Sequence, residues 1–354
     1  MISFLLYCTF IILGILVPKN KIIFLIQLSL IFTLVAFNYQ GYDMLEYNYM
    51  FQVFGKATTI PIGGEFIYRW LMQLFFARGF SFFDLNLITS IIATIIIAWF
   101  MLKHTKRPSL AISMLMIYPM FDLGIQKRNY IAMAVMLIAL TELFDDKPFS
   151  KIRYFFWNLL AIGFHSTYLI YLLYPLYKFI SKFNPKTIFF ITLVTGGVLI
   201  NFAPSLAGIF FDNDKVSLYF SDNSMRLSLF SALAFIVVQI LFMIFIWYMQ
   251  RREKTVLSNL SRDLILYTGI PLPLYFYNSN FIRLFRNLLP LHYLALANSK
   301  EFSYLTFLNM KVLPFLFIIY EIGVSILFYA ISGVGWEKLI VPLFKYNYVF
   351  QLIG

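Results

Sequence analysis

The sequence has little charge and almost no cysteine. Asp, Glu, Lys and Arg make up 12% of its 354 residues, whereas they make up about a quarter of an ordinary soluble domain. The single cysteine, Cys8, excludes an intramolecular disulfide and a cysteine-based metal site. Walker, GxSxG and HExxH motifs are also absent, which argues against nucleotide hydrolysis, a serine nucleophile elbow and zinc peptidase chemistry. We therefore expect no cofactor, and any energy for a reaction must come from an activated substrate.

The chain is instead rich in long apolar runs. Hydrophobic residues make up 61% of it, and its mean hydropathy is +0.80. Runs close to the length of about 20 residues that a spanning helix needs recur along nearly the whole chain, so we predict an all-α polytopic membrane protein with about 12 membrane-embedded helices, some short or re-entrant. No stretch has the composition of a soluble domain, which predicts a single transmembrane domain over 1–354. The net charge of +12 is spread over short loops, which indicates lipid headgroups rather than nucleic acid as the partner.

Basic residues concentrate in the short turns between apolar runs. The first run, 2–17, is followed by lysines rather than preceded by them, which indicates a retained span that starts outside and not a secretory signal. Alternating the later spans puts most Lys and Arg residues on the cytoplasmic side, in turns at 18–21, 103–108, 145–153, 178–186, 250–262 and 299–311. The predicted spans include 82–102, 109–125, 129–144 and 261–278.

Residues 154–180 do not fit a simple span. They are long for one spanning helix and short for two, yet basic residues on both flanks require the same side of the membrane. A helical hairpin with its apex near Gly163-Phe164-His165-Ser166 satisfies both conditions. Irregular backbone at that depth must be buried in protein or line a wet cavity. A long tilted helix is the alternative, and it would reverse every later orientation.

Two polar stretches, 38–81 and 204–227, face outside on this topology. Within the first, Glu65, Arg69 and Gln73 recur every four residues, while Phe66 and Trp70 lie on the opposite face. This spacing predicts an amphipathic helix over 65–78 that lies in the outer membrane interface.

Arginines cluster on the outer side, where topology alone disfavours them: Arg69, Arg78, Arg128, Arg226, Arg283 and Arg286. Guanidinium groups bind phosphate oxygens through paired hydrogen bonds and stay charged when partly desolvated. A large outer-face cavity lined by arginines suits a lipid-linked phosphate or pyrophosphate. The alternative is contact with lipid headgroups, or ion pairs with Asp43, Glu65 or Asp122.

Acid–base chemistry has few candidates in this sequence. His165 lies at the proposed hairpin apex, where an imidazole can exchange a proton or bond a hydroxyl, although it can also be a packed core histidine. Asp43 follows the second span, where a carboxylate can deprotonate a sugar hydroxyl or cap a helix. The sequence Asp212-Asn213-Asp214 is a weak signal for a metal, so we predict no metal site.

Several motifs occur in the order and spacing of a known family. They are YDMLEYNYMF after the second span, GGEFIYRWL with GFSFFDLNLITSI, QKRNYIAMAVMLIAL, WNLLAIGFHSTYLIYLLYPL, and FIRLFRNLLPLHYL. In these features the chain resembles the EpsG family of membrane proteins, within the broader Wzy-type exopolysaccharide, capsule and O-antigen polymerases. Lys127-Arg128 stands where the family often has Arg followed by Gln, which leaves open which of these two cations acts.

The resemblance implies transfer of a growing glycan from undecaprenyl pyrophosphate to the non-reducing-end hydroxyl of the next lipid-linked repeat unit. The reaction would occur without a metal at the outer face of a bacterial cytoplasmic membrane, beside flippase and chain-length regulator proteins. The expected pyrophosphate ligands are Arg69, Lys127, Arg128, Arg283 and Arg286. The candidate bases are Asp43, Glu65 and His165, and the sequence does not choose among them.

Three other functions fit parts of the pattern. A transferase that uses a polyprenyl-phosphate monosaccharide would add single sugars, with Asp43 as the base. A lipid-oligosaccharide flippase would use arginines to guide a headgroup, but transporters of this kind contain two related halves and no such duplication is visible. An acyltransferase would need a relay on the cytoplasmic side, whereas His165 lies outside on this topology.

Overall fold

The structure, a computed structural model, describes residues 2–59, 65–144, 147–176, 228–304, 312–331 and 335–352, with scattered positions between 187 and 220. The α-helices in these ranges are Ile2–Leu16 (α1), Lys21–Ala36 (α2), Met44–Gly55 (α3), Phe66–Ala77 (α4), Phe82–His104 (α5), Pro108–Ile117 (α6), Met120–Ile125 (α7), Lys127–Thr141 (α8), Ser150–Phe164 (α9), Leu229–Gln250 (α10), Val256–Tyr267 (α11), Arg283–Arg286 (α12), Leu289–Asn298 (α13), Val312–Ile331 (α14) and Gly335–Lys345 (α15). Short 3-10 helices lie at Ser166–Leu173, Leu272–Phe276, Ser279–Ile282, Glu301–Tyr304 and Phe350–Leu352.

The all-helical prediction is confirmed, since these ranges contain one isolated β-bridge, between Asn38 and Asn347, and no strand. Three helical segments in them are long and apolar enough to cross a membrane: Phe82–His104, Leu229–Gln250 and Val312–Tyr329. Helices α1, α2 and α6 are apolar but shorter. The count of about 12 embedded helices and the large outer-face cavity stay predictions.

Helix α5 shows how local sequence sets a boundary. The Ser81 hydroxyl accepts from the backbone N–H of Asp84 at 3.3 Å, and the Asp84 carboxylate accepts from the backbone N–H of Ser81 at 2.8 Å. This capping box satisfies two donors that the first turn leaves open. At the other end, Lys103 and His104 occupy the last turn, where a cation stabilises the helix dipole. The predicted span at 82–102 is therefore a helix that runs two residues further.

The centre of the fold is formed by α6, α8 and α13. Every residue of α6 is buried, and so are nearly all residues of α8 and α13. A helix that is apolar on all sides belongs in the interior, and α8 packs against both α5 and α9. Four of the charged residues singled out above lie where these helices begin: Lys127 and Arg128 in the first turn of α8, and Arg283 and Arg286 in the turn before α13.

The hairpin predicted for 154–180 is confirmed in its described part. Helix α9 ends at Phe164, His165 is extended with φ −151° and ψ 124°, and a 3-10 helix follows. The hydroxyl of Tyr154 donates to the carbonyl of Tyr171 at 2.5 Å, which shows that the chain folds back along α9. The apex falls at His165, as the sequence predicted.

Helix α4 occupies the stretch 65–78 for which an amphipathic helix was predicted, while its place in the outer membrane interface stays a prediction. Its polar side faces the protein, since Glu65 and Arg69 are buried, whereas Phe66 and Trp70 are 45% and 51% exposed. This orientation suits a helix whose apolar side contacts lipid. The prediction was incomplete, because the same stretch also contains α3, in which Tyr47 and Phe51 are buried on one face.

Two predicted spans have different boundaries in the structure. The run 109–125 divides into α6 and α7 because Pro119 has no N–H to donate and Tyr118 before it is extended, with φ −155° and ψ 133°. The prediction of a turn at 250–262 and a span at 261–278 was also wrong in its boundaries. Helix α11 begins at Val256, because the Thr255 hydroxyl caps it by accepting from the backbone N–H of Ser258 at 3.1 Å.

Candidate functional site

The centre of the candidate site is an ion pair between Glu65 and Arg128. Arg128 Nη1 donates to Glu65 Oε2 at 2.7 Å, and the Arg128 guanidinium lies over the Tyr47 ring, with Cζ 5.3 Å from the ring centroid. Glu65 precedes α4 in the left-handed region, with φ 73° and ψ 20°, and its N–H donates to the Ile162 carbonyl at 3.3 Å. A non-glycine residue in this region is held there by its surroundings, often at a functional site.

The hairpin apex contacts this ion pair. Ser166 Oγ donates to Glu65 Oε1 at 3.3 Å, so both oxygens of the Glu65 carboxylate are engaged. His165, the preceding residue, is buried, and its Nδ1 accepts from the Thr167 backbone N–H at 3.3 Å. The Thr167 hydroxyl lies 3.0 Å from the same nitrogen. His165 therefore caps the 3-10 helix that begins beside the ion pair.

A hydrogen-bonded series of neutral side chains joins the apex to the central helices. Asn287 Nδ2 donates to Thr167 Oγ1 at 3.0 Å, and Asn129 Nδ2 donates to Asn287 Oδ1 at 3.0 Å. Asn129 follows Arg128 on α8, and the backbone N–H of Asn287 donates to the carbonyl of Arg283 at 3.0 Å. Both asparagines are fully buried. This series fixes the hairpin, α8 and the α12 turn relative to one another.

Asp43 lies directly before α3 and is half-buried. Burial raises the pKa of its carboxyl from 3.8 to about 6, while the positive charges of Arg283 and Arg128 oppose that rise. The carboxylates of Glu46 and Asp122 add to it. A carboxyl that titrates near neutral pH and lies among arginines has the properties of a general base at a site for an anionic substrate.

Arg286 is paired within the protein. It is 2% exposed and forms an ion pair with the buried carboxylate of Asp122, and its guanidinium lies 5.0 Å from the centroid of the Phe328 ring. A buried charge of this kind is tolerated because its partner compensates the lost hydration. The two residues are far apart in sequence, so the pair ties α7 to α12.

Lys127 and Arg69 are also buried against other parts of the protein, although Arg69 Nε has no hydrogen-bond partner among the described residues. Lys127 Nζ donates to the Val35 carbonyl at 2.5 Å, where Asn86 also donates at 3.1 Å. Carbonyls in the last turn of a helix lack partners within it, so both side chains satisfy the end of α2. The buried Arg69 lies over the ring of Phe54, with Cζ 5.0 Å from the ring centroid.

The structure thus gathers Glu65, Arg128 and His165 at one place and puts Asp43 close enough to Arg128 and Arg283 for their charges to interact. The predicted loop 204–227 is mostly outside the described residues, as are Asp212, Asn213, Asp214 and Arg226. Within the described part of the chain, no three His, Cys, Asp or Glu residues are grouped as metal ligands. The absence of a metal requirement stays a prediction.

Sequence reasoning missed the neutral members of this site. Asn129, Thr167 and Asn287 have no charge, and the search for costly charges in apolar sequence did not select them. Each lies one or two residues from a charged or imidazole side chain that was selected, in QKRNY, FHSTY and FIRLFRN. Polar residues buried in an apolar protein must find partners, and that signal could have identified them.

Comparison with protein-family models gives a match to the EpsG family over residues 21–348. Comparisons with curated proteins and with solved structures give no match. The matched range includes every residue of the candidate site. Because it covers nearly the whole chain, and because the chain has helices able to cross a bilayer, the protein is an integral membrane protein that belongs to the EpsG family.

Proposed function

We propose that this EpsG-family protein is a polysaccharide polymerase of the bacterial cytoplasmic membrane. It transfers a growing glycan from undecaprenyl pyrophosphate to the non-reducing-end hydroxyl of the next lipid-linked repeat unit, at the extracytoplasmic face. Membership of a family of polysaccharide biosynthesis supports the reaction class. The observation that carries the proposal is the ion pair of Arg128 and Glu65, which meets the hairpin apex beside His165.

Arg128 is the group we assign to the departing pyrophosphate. Glu65 holds one terminal nitrogen of the guanidinium, while Arg128 Nε is buried with no hydrogen-bond partner among the described residues. An unpartnered buried donor is costly, and a phosphate oxygen would satisfy it. Charge builds on the pyrophosphate as the glycosidic C1–O bond breaks, so a fixed cation there stabilises the transition state more than the substrate.

Asp43 is the group we assign as general base. Glu65 has both oxygens engaged by Arg128 and Ser166, which makes it a poor proton acceptor. The pKa of Asp43, raised by burial to about 6, leaves its carboxyl ionised at neutral pH yet basic enough to accept a proton. Arg283 interacts with it and is the second cation that we assign to the substrate.

The test is deletion of the gene in its host, followed by gel analysis of lipid-linked glycan. The proposal predicts that single repeat units accumulate on the outer face and that longer products disappear. Loss of all outward-facing material would instead favour a flippase. Products shortened by one sugar would favour a transferase that uses a polyprenyl-phosphate monosaccharide, and loss of acyl groups alone would favour an acyltransferase.

A further inference from the structure

An apolar groove lies between α4, α5, α8 and α9. Its volume is about 330 Å³, within the range of about 300–1,000 Å³ that ligand pockets have. Among the described residues that line it, no side chain is charged and only Thr89 has a hydroxyl. That hydroxyl donates to the carbonyls of Leu85 and Asn86 in its own helix, at 2.9 and 3.1 Å. The groove therefore offers a ligand a hydrocarbon surface.

One end of the groove lies at the candidate site. On α8, Arg128, Ile131, Val135 and Ile138 recur at spacings of three and four residues, which places them on one face of the helix. The last three of these residues line the groove. At a rise of about 1.5 Å per residue, Ile131 lies about 5 Å from Arg128 along the helix axis and Ile138 about 15 Å. The groove therefore extends from the level of the arginine towards the middle of α8.

Helices α4 and α9 lead to the same ion pair. Helix α4 starts directly after Glu65 and contributes Leu71 to the groove. Helix α9 ends at Phe164, which also lines the groove. Two residues further along the chain, Ser166 donates to Glu65 Oε1 at 3.3 Å. Three of the helices that form the groove are thus joined to the residues that hold Arg128.

The groove is open along α5. Ile88 and Ile92 line it and are 43% and 47% exposed, whereas Ile131 and Val135 on the α8 wall are buried. Helix α5 is long and apolar enough to cross a membrane, so this opening faces bilayer hydrocarbon. A lipid chain can therefore enter from the side without passing through water.

The bilayer limits what such a groove can select. Lipid tails are as apolar as the groove, so the hydrophobic effect does not favour one over the other. Selection must come from packing and from the charge at one end. β-branched side chains such as Ile92, Ile131 and Val135 have few rotamers, so the walls keep a fixed shape. A stiff, methyl-branched isoprenoid chain loses less freedom in a fixed groove than a flexible acyl chain does.

We propose that this groove binds the isoprene units next to the phosphate of the lipid carrier and so holds the scissile C1–O bond beside Arg128. The proposal rests on the proposed function, which supplies an isoprenoid pyrophosphate as the substrate. The chain in the groove and the pyrophosphate at Arg128 fix the carrier at two points, and the rest of the chain lies in the bilayer. Fixing the orientation of a reacting group lowers the barrier to reaction. The groove side chains are positioning residues, and none of them takes part in a covalent step.

Photolabelling tests the groove without any polymerisation. The probe is a polyprenyl pyrophosphate with a diazirine in the isoprene unit next to the phosphate, bound to the purified full-length protein in phospholipid nanodiscs. Irradiation and mass spectrometry then identify the labelled residues. We expect label on groove residues of α5, α8 or α9, and we expect undecaprenyl pyrophosphate to compete for it. Absence of label from these residues overturns the proposal.

Two substitutions at the opening should block the groove. Ile88→Trp and Ile92→Trp each place a large ring at a position that lines the groove and is exposed, so the fold should tolerate them. The control is Ile95→Trp, on the same helix, 62% exposed and outside the lining. We expect labelling to fall about tenfold in both blocked variants, because the chain loses many small packing contacts. Labelling at the parental level in all three variants contradicts the proposal.

Two further measurements distinguish the isoprenoid chain from other occupants. A phosphatidylglycerol with a diazirine in its acyl chain would label the groove equally well, despite added undecaprenyl pyrophosphate, if the groove were an ordinary lipid site. A photoreactive amino acid in place of Ile92 would cross-link to a second copy of the chain if the groove were a protein interface. Either result overturns the proposal.

Polymerisation in vesicles provides the second readout. Repeat units on a saturated straight-chain alkyl pyrophosphate have the same charge without the isoprenoid shape. We expect the parent and Ile95→Trp to use them with a kcat/KM about tenfold lower than for isoprenoid-linked units, and Ile92→Trp to lose this difference. A parent that uses both carriers equally contradicts the groove and leaves the proposed function standing. Specific label in the groove of a protein that makes no polymer refutes the proposed function and leaves the isoprenoid site standing.

Discussion

Arg128 and Glu65 are 63 residues apart in sequence and meet through a 2.7 Å ion pair. Glu65 comes from the stretch before α4, and Arg128 comes from the first turn of α8, one of the most buried helices. Because the Glu65 side chain is 6% exposed, its charge is poorly screened and fixes the guanidinium firmly. A cation fixed before the substrate arrives needs no reorganisation during the reaction.

Replacement of Arg128 should remove polymer without removing the protein. Loss of one transition-state charge partner costs about 10²–10³ in rate, so we expect Arg128→Ala to give single repeat units on gels of lipid-linked glycan. Arg153→Ala is the matched control, since Arg153 forms a 2.6 Å pair with Glu142 that is more exposed. The account predicts normal polymer from that control. Normal-length polymer from Arg128→Ala, at parental protein level, would contradict the assignment.

Lys127 should matter less than Arg128, although the two are adjacent. Its ammonium bonds a backbone carbonyl that Asn86 also satisfies, so Lys127→Met removes a buried charge and leaves no carbonyl without a donor. We expect polymer of parental length from Lys127→Met and none from Arg128→Met, measured at equal protein level. The reverse pattern would show that Lys127 is the cation that binds pyrophosphate.

The Arg286–Asp122 pair should stabilise the fold and not bind the substrate. Removing one member of a buried pair leaves an uncompensated charge and costs about 3–5 kcal/mol, whereas replacing both with apolar residues is often nearly neutral. We expect Asp122→Leu to lower the thermal midpoint in detergent and the double variant with Arg286→Met to recover it. The double variant should also polymerise glycan. A double variant that folds at the parental midpoint but makes no polymer would place Arg286 among the substrate ligands.

Protonation of Asp43 should lower the reaction rate at acid pH. Its pKa is raised by burial to about 6, so the rate should fall as the pH drops through about 6 and the base becomes protonated. The effect on stability has the opposite sign. A carboxyl whose pKa is higher in the folded state stabilises the fold at low pH and loses that contribution as the pH rises through about 6.

The measurement for Asp43 is the polymerisation rate in membrane vesicles against pH, in the parent and in Asp43→Asn. The Asn variant should lose most of its activity. Its stability should also lack the change with pH that Asp43 contributes in the parent. A parental rate that stays flat across the pH range around 6 would remove Asp43 from the role of base.

Much of the fold could be predicted from the sequence, because the length of an apolar segment and the charges that flank it are local properties of the chain. Basic flanks and an intermediate length were enough to predict the break at His165, and a four-residue polar period predicted α4. The break at Pro119 was missed because the apolar pattern continues through it, although proline itself was a signal. The start of α11 at Val256 was missed because a charged turn hid the capping signal at Thr255.

The candidate site was less predictable, because its contacts join distant segments. The sequence identified Glu65 and Arg128 separately and allowed for an ion pair, but no local pattern determines which carboxylate an arginine meets. The bonds that link Asn129, Asn287 and Thr167 depend on how three helical segments pack. The other candidates were identified by the cost of placing a charge in apolar sequence, and neutral amides have no charge.

Reconstitution of the purified protein tests the central claim most directly. The protein would be placed in phospholipid vesicles with the undecaprenyl-pyrophosphate-linked repeat unit extracted from the deletion strain, in the presence of EDTA. The account predicts a ladder of glycan lengths, with one molecule of undecaprenyl pyrophosphate freed for each bond formed. Repeat units that remain single in this assay, with the protein folded in the vesicles, would contradict it.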